Sequence, residues 1–95
     1  MSTKKTDLLK YRDEIDSLDK KLLDILSKRF SVTKKVGQYK AKNNLPIKDL
    51  KREKEMFVRR VALAKKYSLE KEMISKIFRA IIDSVYKEHK KLRKK

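Results

Sequence analysis

Apolar residues recur along the first part of the chain at alternating steps of three and four: Leu8, Tyr11, Ile15, Leu18, Leu22, Ile25, Val32, Val36 and Tyr39, with Arg29 in phase among them. This is a sustained heptad seam, and it predicts one helix from about Asp7 to about Lys42. At 1.5 Å per residue such a helix is about 50 Å long, whereas a globule of this chain length is only about 30 Å across. Its own chain cannot cover the seam, so the expected partner is the same helix of a second copy, in an intertwined helical homodimer. Two shorter helices follow, from about Leu50 to about Lys66 and from about Leu69 to about Lys90, separated by Asn43 to Ile47 and by Tyr67-Ser68. Asp49 and Ser68 are the expected N-caps, with Glu70 and Glu72 in the positive first turn of the third helix. The predicted class is all-α, with three helices per chain.

Composition narrows the choices. One glycine, Gly37, and one proline, Pro46, leave almost no turn chemistry for hairpins and no glycine-rich phosphate loop. No cysteine and a single histidine exclude a disulfide framework, a thiolate zinc site, a cysteine nucleophile and a His-rich metal site. Apolar runs of a few residues fall far short of a membrane span, and the basic start MSTKKTD leads into no apolar signal segment, so the expected location is cytoplasmic. A charged fraction of 44% raises the question of disorder. The seam answers it, because a random charged chain does not hold its apolar residues in phase over such a length. The 95 residues make one small domain, with Lys90 to Lys95 expected to form a basic, frayed tail.

Charges that sit where apolar residues belong point to chemistry. Arg29 occupies a seam position between Ile25 and Val32, and an unpaired buried guanidinium is costly, so an anionic partner is expected. Lys40 lies eleven residues further on, which returns it to within about 20° of the same face. Glu53 falls on the stripe Leu50, Glu53, Phe57, Val61, Ala64 of the second helix. Each of these charges read singly is a snorkelling or ion-paired structural residue. Two cations and a carboxylate together suggest a pocket for a small polar anion.

The run Arg12-Asp13-Glu14-Ile15-Asp16-Ser17-Leu18-Asp19-Lys20-Lys21-Leu22-Leu23, then Arg29, then Val36-Gly37-Gln38-Tyr39-Lys40, then Pro46 to Glu53, resembles the all-helical chorismate mutases. The resemblance covers nearly the whole chain. It implies an intertwined dimer that rearranges chorismate to prephenate, on the way to phenylalanine and tyrosine, without a cofactor. It further implies that Arg29 and the second copy's Arg12 hold the substrate carboxylates, that Lys40 contacts the ether oxygen and a carboxylate, that Glu53 accepts the ring hydroxyl, and that Asp49 and Arg52 line the mouth. Helix geometry agrees for Arg12, which lies about 25 Å from Arg29 along one helix and roughly 100° off its face, so one chain cannot grip a small molecule with both.

In the third helix the family commonly places a small polar residue and, four positions on, Gln or Glu, the second of which donates to the ether oxygen; the resemblance thus implies a catalytic role for the residue found there. Gapless alignment from Phe78 to Ile82 puts Val85 and His89 there, and the stripe Ile74, Phe78, Ile81, Ile82, Val85, His89 favours it. A one-residue deletion puts Ser84 and Glu88 there instead, and a donating Glu88 would have to be protonated. Two rival functions remain. An isochorismate-pyruvate lyase of the same fold is the nearer one, with Glu53 at the hydroxyl position favouring the mutase. The other is a basic helical nucleic-acid-binding protein, suggested by a net charge of +16 and by Lys51, Arg52, Lys54, Arg59 and Arg60. The scatter of basic residues over every face and the few aromatics among them count against it. A membrane-surface helix is not expected, because the seam is already used for dimer packing.

Overall fold

The computed structural model describes residues 3–93, and within them every regular element is an α-helix: α1 (Thr3–Lys42), α2 (Leu50–Lys66) and α3 (Lys71–Arg93). The chain divides into two compact units, one ending at Val32 and one beginning at Thr33.

The first unit is helical throughout its described part, and every apolar seam position in it is exposed or half-exposed: Leu18 is 61% exposed, Ile15 and Leu22 are each 55%. Arg29 is half-buried and Arg12 exposed. Lys28 and Asp24 form an i,i+4 ion pair at 3.0 Å on its surface. Exposed pairs of this kind contribute only a few tenths of a kcal/mol, so packing, not charge, must decide the fate of this unit.

The second unit contains the last turns of α1 together with α2 and α3. Its core is built from Met56 and Ala64 of α2 and Ile74, Ile81 and Ile82 of α3, and the polar His89 is buried as well. Gly37 of α1 is also buried. A Cβ placed on it would lie 2.8 Å from both His89 Nε2 and Leu92 Cδ1, so this glycine is a contact surface on which α3 lies. Leu50, placed on the inner stripe by its spacing, is 70% exposed. The rest of that stripe, Glu53, Phe57, Val61 and Ala64, is buried or half-buried, and Met56 joins it.

Both helix ends close without glycine. Asn44 has φ 54°, with its N–H donating to Ala41 O and the N–H of Leu45 donating to Lys40 O at 2.9 Å. Ser68 repeats the motif at the end of α2: φ 57°, its own N–H on Lys65 O at 3.1 Å, and the N–H of Leu69 on Ala64 O at 2.9 Å. These are Schellman closures with the left-handed residue just past the helix. Ser68 therefore terminates α2 and does not cap α3, which begins at Lys71 with the N–H of Ile74 on Glu70 O. Asp49 does cap α2, its Oδ1 accepting from the Arg52 N–H at 3.0 Å. Helix α3 stays helical through Arg93, into the stretch expected to fray. Lys94 and Lys95 lie outside the described residues.

Candidate functional site

Six of the predicted site residues, Lys40, Asp49, Arg52, Glu53, Val85 and His89, lie in the second unit, whereas Arg12 and Arg29 lie in the first. The loop from α1 to α2 is tied down at two points near its middle. The Lys40 ammonium donates to Ile47 O at 3.0 Å, and the Arg93 guanidinium donates to Leu45 O. Lys40 is half-buried, and with one of its three donors spent it has two left for a ligand. The Asp49 cap then fixes the first turn of α2, which carries Arg52 towards solvent and Glu53 inward.

The Glu53 side chain is 15% exposed, and both its oxygens are engaged by α3. Oε1 accepts from the Arg79 guanidinium, and Oε2 accepts from the Tyr86 hydroxyl at 2.7 Å. The hydrogen bond from Arg79 is the largest cause holding the Glu53 carboxyl below its usual range, that from Tyr86 adds to it, and burial opposes both. Burial first, and then the bond to Glu53, pushes the Tyr86 phenol up to about 12. Arg79 is braced in turn, its Nε on Asp83 Oδ1 at 3.2 Å and its guanidinium 5.4 Å from the Phe57 ring centre. Lys48 sits 5.8 Å over the Tyr86 ring. The site thus presents an ionised acceptor on α2 held from α3.

Sequence reasoning did not single out Arg79 and Tyr86. Their spacing carried the signal: Arg79, Ile82 and Tyr86 stand at i, i+3 and i+7 and share one helix face, which meets the stripe counted from Ile74 to His89 at Ile82.

In α3, Val85 is half-buried and His89 only 3% exposed, whereas Ser84 is exposed and Glu88 half-buried. The helix therefore turns the gapless pair inward. His89 Nε2 lies 2.8 Å from the Thr33 carbonyl oxygen, and a carbonyl can only accept, so Nε2 carries the hydrogen. Only the buried Nδ1 is left to reach a ligand, and in a neutral ring it is an acceptor. An open groove of about 510 Å³ is lined by Phe57, Ser75, Lys76, Arg79, Ala80 and Asp83, none of them a predicted site residue. No described helix is long and apolar enough to cross a membrane.

Comparison with known proteins gives these residues a common frame. The chain is 42% identical over 88 residues to a bifunctional chorismate mutase/prephenate dehydratase of Buchnera aphidicola subsp. Acyrthosiphon pisum, covering 93% of this chain and 23% of that protein. It is 33% identical over 81 residues to the protein of the same description from Escherichia coli (strain K12), covering 85% and 21%. A T-protein of Enterobacter agglomerans is 35% identical over 80 residues, covering 84% and 21%. The chain therefore spans less than a quarter of the length of these curated relatives. The sequence profile described as chorismate mutase type II matches residues 11–90, a span that holds the seam from Tyr11 onward, the Asp49 cap, the Glu53 cluster and the inward pair of α3, and the chain belongs to that family.

Proposed function

We propose that this chain rearranges chorismate to prephenate, in sites shared between two copies. The observation that carries the reading is the family match over residues 11–90, which contains every residue assigned a role: Arg12, Arg29, Lys40, Asp49, Arg52, Glu53, Val85 and His89. The reaction breaks a carbon–oxygen bond as it forms a carbon–carbon bond, and it needs no nucleophile. Catalysis is orientation plus electrostatics. Arg29 and the second copy's Arg12 hold the two carboxylates in a compact, near-attack geometry. Lys40 donates to the ether oxygen, where charge is present mainly in the transition state. Glu53 accepts the ring hydroxyl, Asp49 and Arg52 frame the mouth, and Val85 and His89 form the wall from α3. Because the His89 Nε2 hydrogen is already given to Thr33, Lys40 is the principal donor. A second copy is needed to cover the seam of α1, whose apolar positions are exposed.

Mixing two inactive variants tests the substrate and the shared site together. Arg12→Ala and Arg29→Ala homodimers carry a lesion in both sites and should each lose about two to three orders of magnitude in chorismate turnover, the scale for a lost preorganised charge donor. Their heterodimer has one site with both lesions and one with neither. Co-refolding should restore prephenate formation to about half the parental rate per heterodimer. Heterodimers as inactive as their components would exclude the sharing of Arg12. Release of pyruvate from isochorismate with no turnover of chorismate would replace the mutase by a lyase.

A further inference from the structure

We infer that Arg79 and Tyr86 are positioning residues for Glu53: held at Oε1 by one and at Oε2 by the other, the carboxylate offers its remaining lone pairs to a ligand hydroxyl in a single orientation. The inference rests on the chorismate reading of the site. A glutamate has three side-chain torsions, and left alone at a helix start it would spread its acceptor over several directions. In this site two oxygens with about four lone-pair positions receive one donor each, so acceptor capacity is left over while freedom is removed. The two donors are themselves immobilised. Arg79 is tied to Asp83 and lies on Phe57, and Tyr86 is flanked by Lys48.

The arrangement also fixes the chemical character of the acceptor. The charged groups facing Glu53 are Arg79 and Lys48, with Asp83 behind Arg79 and the Tyr86 hydroxyl donating. The cations and the donated hydrogen bonds favour the carboxylate form. A carboxylate so held accepts only, which suits a hydroxyl that must donate. Neither Arg79 nor Tyr86 needs to touch substrate for this. Their effect passes through Glu53.

The test uses the full chain with chorismate across a pH series, in the parent and in Tyr86→Phe, Arg79→Gln and Arg79→Lys, with thermal melts to confirm folding. Tyr86→Phe and Arg79→Gln should each lower kcat/KM about tenfold, the scale of one lost hydrogen bond to a charged group. In Arg79→Gln the acid limb of kcat/KM should move to higher pH, because the strongest stabiliser of the ionised Glu53 is gone, whereas Arg79→Lys should keep the limb near its parental position. A prephenate-forming chain whose Tyr86→Phe and Arg79→Gln variants retain parental kcat/KM and an unmoved limb overturns the inference and leaves the function standing. A parent that makes no prephenate defeats the functional reading alone. Carbon-13 NMR titration of the Glu53 carboxyl then decides the clamp: its midpoint should rise in Arg79→Gln and Tyr86→Phe, and midpoints that stay put refute it.

Discussion

Two stretches of this chain carry apolar stripes at helical spacing, and they end as opposite kinds of surface. In the first unit, Tyr11, Ile15, Leu18, Leu22 and Ile25 are all more than half exposed. In α3, Ile74, Ile81 and Ile82 are each 9% exposed and His89 3%. The periodic pattern is equally clear in both, so periodicity states that a face must be covered and not what covers it. What separates the two is the supply of neighbours. The α3 stripe meets Met56 and Ala64 across a short connection, whereas the seam of α1 is longer than anything a chain of this size has to lay against it.

The largest effect is expected from breaking the seam. Leu18→Glu puts a carboxylate at its middle in each copy, losing two buried leucines at about 2 kcal/mol each and gaining two unpaired charges. The dissociation constant of the dimer should rise by roughly a thousandfold or more. Sedimentation at matched concentrations reads this directly, and on the shared-site proposal turnover should fall in parallel, because the sites would lose Arg12. A parent that sediments as a monomer, or a variant that stays associated like the parent, would refute a second copy as the cover of the seam.

Gly37 sharpens the other side of the comparison. In an open helix, Gly→Ala stabilises by about 1 kcal/mol. At Gly37 the added methyl would meet His89 and Leu92, and overpacking of this kind costs about 1–3 kcal/mol. Gly37→Ala is therefore expected to lower stability by about 1 kcal/mol net, read by chemical denaturation. In a His89→Ala background the loss should shrink markedly, since the ring is gone and only the flexible end of Leu92 remains in the way of the methyl. Equal losses in both backgrounds would show that α3 does not lie on Gly37 through His89.

What was legible in the sequence divides along the line between local and non-local causes. The three helices and the Asp49 cap follow from spacing and from one side chain bonding the backbone three residues on, so they could be read. The clamp on Glu53 could not: Arg79 is 26 residues away and Tyr86 33, and only the packing of α3 on α2 makes them partners. His89 was legible as a member of an inward stripe. Its bond to the Thr33 carbonyl was not, because a backbone acceptor within α1 has no side-chain signature and becomes reachable only where Gly37 lets the ring approach. Serine is a good cap before a helix and tolerable after one, and at Ser68 both roles fit the letters. The left-handed φ of 57° decides for the end of α2.

That position also gives the smallest effect, one that depends on neither the dimer nor the site. A left-handed residue other than glycine costs about 1–2 kcal/mol, and Ser68 bears this to let Leu69 reach back to Ala64. Ser68→Gly removes that cost, while the extra freedom of glycine in the unfolded chain takes back about 0.5–1 kcal/mol. The difference favours the variant by about 0.5–1 kcal/mol. If Ser68 were instead the N-cap of α3, its hydroxyl would be bonded to the helix, and replacing it by glycine would destabilise by a few tenths of a kcal/mol. The two assignments thus predict opposite signs. Denaturant midpoints of parent and variant, measured well above the dissociation constant so that dimerisation is constant, decide between them: a higher midpoint in Ser68→Gly confirms that α2 closes through Ser68, and a lower one returns the residue to α3.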